Sequence, residues 1–226
     1  FTTTLGREGS DYTAAIFAFC LNAKSVTIWK DVPGVLNADP RYFENAELLS
    51  QISYTEAIEL SYYGASVIHP KTLQPLQRKE IPLLVKSFLN PENEGSIVGK
   101  DLELTPKVPC YILKQNQTLI SVSSLDFSYI VEDNISHIFG LLHDYKMKVS
   151  MIQNSAISFS VCIEDNYNNL ERLLLHLKAK YKVKSHEGVK LYTVRHYNEA
   201  SVTEIENGKE ILLKQITPEI MQLITI

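Results

Sequence analysis

The chain has 226 residues, of which 45% are hydrophobic and 21% charged, with a formal net charge of -4. That balance is ordinary for a folded globular protein and argues against disorder. Its mild acidity lacks the basic excess that nucleic-acid binding requires, and no apolar run reaches the ~18–20 residues needed to span a bilayer. The three cysteines, Cys20, Cys110 and Cys162, are widely spaced and odd in number. They suit a reducing compartment, hence a cytoplasmic protein, and fit neither a disulfide framework nor a zinc site. The first residues, Phe1-Thr2-Thr3-Thr4-Leu5-Gly6, show no charged segment followed by an apolar one and so no signal peptide. The start reads as a cut inside a larger protein.

In chain order, the turn Gly6-Arg7-Glu8-Gly9-Ser10 opens a helix over Tyr12 to Leu21, with Ser10 or Asp11 as its cap. The β-branched and aromatic run Ser25-Val26-Thr27-Ile28-Trp29 predicts a strand, and Asp31-Val32-Pro33-Gly34 a turn. Tyr54 to Tyr63 reads as a helix, started near Ser53 or Thr55 and stopped by Gly64. A further helix, Lys71 to Arg78, and a strand, Ile81 to Lys86, follow. Strands alternating with helices predict an α/β layer structure for residues 1–100. Residues 88–108, polar and bearing Pro and Gly, read as the best linker candidate.

Beyond it, Thr118 to Ser123 predicts a strand. Ile135, Ile138, Phe139, Leu142 and Tyr145 share one helical face, with Asp133 and Asn134 at the capping position. Met147 to Met151 and Ile157 to Ile163 alternate as half-buried strands. Leu170, Leu173, Leu174 and Leu177 form another helical stripe, and Lys182 to Lys184 a short strand. The order β-α-β-β-α-β is that of a ferredoxin-like unit over residues 107–188. Residues 189–226 begin the unit again: strand Leu191 to Val194, helix Ala200 to Lys214 and strand Ile220 to Ile226. A half-unit leaves a sheet edge to be paired.

Four segments carry a resemblance. Thr2-Thr3-Thr4-Leu5-Gly6-Arg7-Glu8-Gly9-Ser10-Asp11-Tyr12-Thr13-Ala14 closely resembles the TTLGRGGSDYTA segment of aspartate kinases. Trp29-Lys30-Asp31-Val32-Pro33-Gly34-Val35-Leu36-Asn37-Ala38-Asp39-Pro40-Arg41 is similar to their W(T/K)DVDGVxTADPR segment. Ile52-Ser53-Tyr54-Thr55-Glu56-Ala57 and Gly64-Ala65-Ser66-Val67-Ile68-His69-Pro70 resemble their ISFxEA and GAKVLHP segments. The resemblance implies the C-terminal, ATP-binding half of an amino-acid kinase fold over residues 1–100, followed by an ACT regulatory domain at 107–188 and a partial second ACT unit at 189–226. The family's N-terminal half, with its KFGGTSV-type lysine motif, would lie outside this chain.

The implied reaction transfers the γ-phosphate of ATP to the β-carboxylate of L-aspartate, a first step of lysine, threonine and methionine biosynthesis. A carboxylate is already ionised at neutral pH, so the chemistry needs positioning and cationic neutralisation rather than a base. The resemblance assigns Arg7 and Asp11 to catalysis, Arg7 and Ser10 to the aspartate substrate, and Lys30, Asp31, Asp39, Pro40, Arg41 and Ser66 to the nucleotide. Ser66 replaces the family's Lys, Lys30 stands where many members have Thr, and Leu36 where many have Tyr. His69 reads as a structural histidine. No metal-ligand cluster is visible, and Mg²⁺ would arrive with ATP. An amino-acid effector, lysine or threonine in the family, would meet Asn134, Ile135, Val149, Ser150, Asn154 and Ser155, although Ser150 stands where the lysine-sensitive type has Asp. A homodimer through the ACT units is expected, with no nucleic acid and no membrane. This piece alone would be inactive. A second reading fits the same residues: a non-catalytic ACT-type amino-acid-binding and dimerisation module.

Overall fold

The computed structural model describes residues 9–65, 67–126 and 128–226. Its chain forms two compact units, one of residues up to Ile112 together with Val194–Ser201, the other of Leu113–Thr193 and Val202–Ile226.

The first unit opens with α1 (Gly9–Leu21), β1 (Val26–Lys30), β2 (Gln51–Ser53), α2 (Tyr54–Tyr63), α3 (Pro70–Arg78), β3 (Leu83–Ser87) and β4 (Ser96–Gly99). The strands form one mixed sheet in the order β1-β3-β4-β2, with β1 parallel to β3, β2 parallel to β4, and β3 antiparallel to β4. Alternation decides the core. Val26 and Ile28 of β1 and Leu83 and Val85 of β3 turn inward, against Ala15 and Ala18 of α1 and Leu73 and Leu76 of α3. Trp29, on the other face, stays exposed. The buried residues of α1 are Asp11 and the small Ala15 and Ala18.

α2 matches its sequence signals at both ends. The Ser53 hydroxyl accepts the Glu56 N–H at 3.0 Å, and Gly64 closes the helix at φ 127°, a conformation L-residues avoid. α1 begins earlier than expected, so Ser10 and Asp11 lie inside its first turn rather than outside it. The stretch 88–108 is not a linker throughout. Ser96, Ile97, Val98 and Gly99 form β4, which joins β2 to β3, and Val98 is fully buried.

The second unit contains β5 (Cys110–Ser123), α4 (Glu132–Asp144), β6 (Lys148–Asn154), β7 (Ser158–Glu164), α5 (Leu170–Lys180), β8 (Lys182–Arg195), α6 (Glu199–Glu206), β9 (Ile211–Ile216) and β10 (Ile220–Thr225). β5 starts in the first unit, β8 ends in it, and α6 starts in it, since Cys110–Ile112 and Val194–Ser201 belong there. The six strands form a sheet in the order β6-β7-β5-β8-β10-β9. β5–β7, β6–β7 and β9–β10 are antiparallel. Ile120, Val122, Phe159, Val161 and Ile163 face Ile138 and Leu142 of α4 and Leu173 and Leu177 of α5. Leu119, Met151, Cys162, Val189, Leu191 and Ile224 form a separate cluster.

Four expectations are corrected here. The strands read at 182–184 and 191–194 are one strand, β8, whose polar middle, Ser185 to Gly188, is exposed. The helix read over 200–214 stops at Glu206. Gly208, at φ 69°, turns the chain, and Ile211–Ile216 is β9. The last segment is therefore β-α-β-β rather than β-α-β. Asp133 and Asn134 do not precede α4: Val131 is its N-cap, and Asn134 reaches back to accept the Val131 N–H at 3.1 Å.

Candidate functional site

Asp11 sits in the first turn of α1, where a carboxylate is favoured by the exposed N–H groups. Its side chain is 10% exposed, and its Oδ2 accepts a hydrogen bond from Lys30 Nζ at 2.6 Å. Lys30 is the last residue of β1, and its carbonyl accepts the Phe88 N–H at 2.9 Å, so its backbone is held by the chain leaving β3. Ser10 Oγ lies 3.5 Å from Asp11 Oδ1. The structure thus brings Ser10, Asp11 and Lys30 together from two elements. Arg7 and Ser66 lie outside the described residues.

The loop after β1 carries Asp31, Asp39, Pro40 and Arg41. Asp31, Pro40 and Arg41 are exposed. Asp39 and Arg41 form a fork: Nε to Oδ1 at 3.0 Å and Nη2 to Oδ2 at 2.6 Å. The Arg41 hydrogen bond holds the Asp39 carboxyl below its ordinary value, against an opposing effect of burial.

Two residues not singled out in the sequence hold this loop. Ser96 Oγ accepts the Val35 N–H at 2.8 Å. Asn37, almost fully buried, donates from Nδ2 to the Pro109 carbonyl at 3.0 Å and accepts the Glu47 N–H at 2.7 Å. Ser96 lies in the stretch read as a linker, and Asn37's partners are distant in sequence, so neither carried a local signal. His69 caps α3, its Nδ1 accepting the Lys71 N–H at 3.1 Å, in keeping with a structural role.

In the second unit, Asn134 and Ile135 lie in the first turn of α4, and Ile135 and Val149 pack into the α4–α5 core. Asn154 and Ser155 lie at the β6–β7 turn, where Ser155 N donates to the Ser158 carbonyl at 2.8 Å. This turn meets the chain entering α4, since Ile130 N donates to the Ala156 carbonyl at 2.9 Å. Ser150 is engaged elsewhere: its hydroxyl donates to Gln117 Oε1 at 3.1 Å and accepts from Lys114 Nζ at 3.3 Å. Burial, the larger effect, and the nearby Lys148 charge push the Lys114 amine below its ordinary value. Lys114 and Gln117 belong to a polar part of β5 that gave no strand signal.

Residues 1–87 match the model of the amino acid kinase family. The lysine-sensitive aspartokinase 3 of Escherichia coli is 40% identical over 150 residues, 66% of this chain and 33% of that protein. The solved structure of E. coli aspartokinase III with lysine and aspartate superposes with a TM-score of 0.79 at 30% identity, covering 98% of this chain and 53% of that one. The same enzyme with aspartate and ADP gives 0.78 at 30% identity. The family that the chain resembles is thus the aspartokinases. The chain spans a third of the E. coli protein in the sequence match and about half of it in the structural one. Among the described residues, no helix is long and apolar enough to cross a membrane.

Proposed function

We propose that this chain is the ATP-binding and regulatory part of an aspartate kinase, which transfers the γ-phosphate of ATP to the β-carboxylate of L-aspartate. The observation that carries the reading is the Asp11–Lys30 pair at the start of α1, set within segments that resemble aspartokinases. Phosphoryl transfer between two anions depends on placed cations and hydrogen-bond donors. Arg7, a planar fork for carboxylate or phosphate, and Ser10 are read as holding aspartate. Lys30, Asp31, Asp39, Pro40, Arg41 and Ser66 are read as lining the nucleotide. Mg²⁺ is read as entering with ATP. The E. coli structures bound to aspartate, ADP and lysine support these classes of ligand.

Residues 107–188 are read as a ferredoxin-like ACT domain and 189–226 as a partial second unit that begins on β8. A homodimer through these units in the cytoplasm, and an amino-acid effector at the turn of α4 and the β6–β7 hairpin, complete the proposal. The test is a phosphoryl-transfer assay on the full-length protein with aspartate and glutamate. Transfer to aspartate, lost in Asp11→Asn, is the expected result, and failure to phosphorylate aspartate rejects the reading. Titration of the chain with lysine, threonine and methionine then tests the effector. Heat from one amino acid alone identifies it.

A further inference from the structure

A second tightly built charged group lies in the first unit, on residues other than those assigned above. Glu56 is three residues past the N-cap Ser53, where a glutamate commonly folds back onto the helix start. Here it does not. Both of its oxygens are taken by Arg195, 139 positions later in the chain: Nε to Oε1 at 2.8 Å and Nη2 to Oε2 at 2.8 Å. Arg195 Nη1 also donates to Glu59 Oε2 at 3.2 Å, one turn along α2. The Arg195 side chain is 5% exposed and that of Glu56 10%. His196 Nε2 stands 3.1 Å from Glu56 Oε1, without the alignment of a hydrogen bond. The thiol of Cys110 lies in the same buried region, pushed up to about 12 by burial and then by the Glu56 charge.

Stability alone is a weak reason for such a pair. Taking two charges out of water costs about as much as their attraction returns, and a hydrophobic pair of similar volume holds a structure equally well. What the arginine fork adds is a fixed direction. Its position gives that direction a use. Arg195 is the last residue of β8, a strand whose residues as far as Thr193 belong to the second unit. Glu56 belongs to α2, which packs on α3, and α3 packs on α1, the helix that carries Asp11.

We infer that Arg195 is a coupling residue: by gripping Glu56 and Glu59 it ties the end of β8 to α2, so that a displacement of the strand is passed to the helices packed on α1, which carries Asp11. The device is independent of which ligand either unit binds, and its test needs no catalytic activity.

The experiment is hydrogen exchange of the α2 amides in the full chain, combined as a double-mutant cycle. Val189→Ala loosens β8 within the second unit, because Val189 is 1% exposed. With Arg195 present, this substitution is expected to speed exchange in β8 and also in α2, the latter on the order of three- to tenfold. In Glu56→Leu/Arg195→Met, which replaces the charges by apolar groups, Val189→Ala is expected to speed β8 and leave α2 unchanged. If that doubly substituted chain does not fold, Arg195→Lys, which keeps the charge and loses the fork, serves in its place with the same expected loss of transmission. Equal acceleration of α2 with and without the fork overturns the inference. So does acceleration of β8 with no change in α2 in the chain that retains Arg195.

Discussion

Ser96→Ala tests how the loop after β1 is held. Ser96 is 1% exposed, and its hydroxyl accepts the Val35 N–H at 2.8 Å across 61 positions of sequence. Val35 is itself buried and its carbonyl accepts the Leu49 N–H at 2.9 Å, so the loop is pinned through both backbone groups of one residue. Alanine removes the acceptor and leaves a buried donor without a partner. An unsatisfied buried N–H costs about 1–3 kcal/mol, more than the ~0.5–1.5 kcal/mol that a typical hydrogen bond contributes net. The assay is urea unfolding read by circular dichroism. A lower midpoint with an unchanged slope reports lost stability rather than an altered denatured state. Gly34→Ala approaches the same contact from the other side, since a Cβ at Gly34 would lie 2.5 Å from Ser96 Oγ and 2.7 Å from Leu48 Cδ1. Both variants are expected to weaken ADP binding, because the loop bearing Asp39 and Arg41 loses one of its anchors. A Ser96→Ala midpoint equal to that of the wild type would refute the reasoning, for Val35 N–H would then have another partner.

Gly95→Ala is expected to cost several times more than Gly188→Ala: both have positive φ, at 73° and 70°, but a Cβ at Gly95 meets the Val85 carbonyl oxygen at 2.2 Å while none lies within 4 Å at Gly188. Thermal unfolding compares them, with ~1 kcal/mol expected at Gly188 from the backbone alone. Thiol labelling at pH 8 is expected to modify Cys20 quickly and Cys110 and Cys162 only on unfolding, because burial pushes both latter thiols up to about 12 while Cys20 is exposed. Acid titration tests Glu56. Burial acts to raise its pKa, and the Arg195 hydrogen bonds and charge outweigh burial, leaving it below the ordinary 4.5. A depressed value in the folded state gives stability that is present above the unfolded-state value and is lost as pH falls through the folded one. Unfolding free energy should therefore fall on acidification below about pH 4.5, and Glu56→Gln should fall less steeply. Equal slopes would count against the Arg195 contact.

How legible the chain was depended on where the stabilising partners lie. α2 was readable, with its start left open between Ser53 and Thr55, because Ser53 and Gly64 act on their own helix ends. The α4 and α5 stripes were readable because one face of each helix meets one core. β4 was hidden because Ser96 and Gly99 look like turn residues, and the strand exists through its pairing with β2 and β3. The first half of β5 was hidden by Lys114, Gln115, Asn116 and Gln117, with Asn116 at φ 53°, a conformation more typical of a turn. β8 was split by an exposed polar run for the same reason. The Asp11–Lys30 pair was half legible. Each residue was marked by its segment, but their contact depends on the packing of α1 beside β1. Nothing near Glu56 in sequence pointed to Arg195.

The Asp11–Lys30 pair also makes a prediction about order of effect. A carboxylate at the start of α1 would repel a polyphosphate. At ~4 Å, with an effective dielectric near 20, two like charges oppose each other by about 4 kcal/mol, and by less where solvent screens them. Lys30 cancels that charge. It carries three donors, one of them directed at Asp11 at 2.6 Å, which leaves it able to meet a phosphate oxygen without releasing the carboxylate. Lys30→Met should therefore weaken ADP binding by about tenfold or more, and adding Asp11→Asn should restore part of the loss by removing the repulsion. Lys30→Arg should bind close to the wild type. Calorimetric titration of ADP into the four chains gives the comparison. If Lys30→Met binds ADP as the wild type does, Lys30 lies outside the field of the phosphates and the nucleotide assignment of this segment falls. If the double variant binds more weakly than Lys30→Met, Asp11 contributes attraction rather than repulsion, and the lysine's role is to orient it.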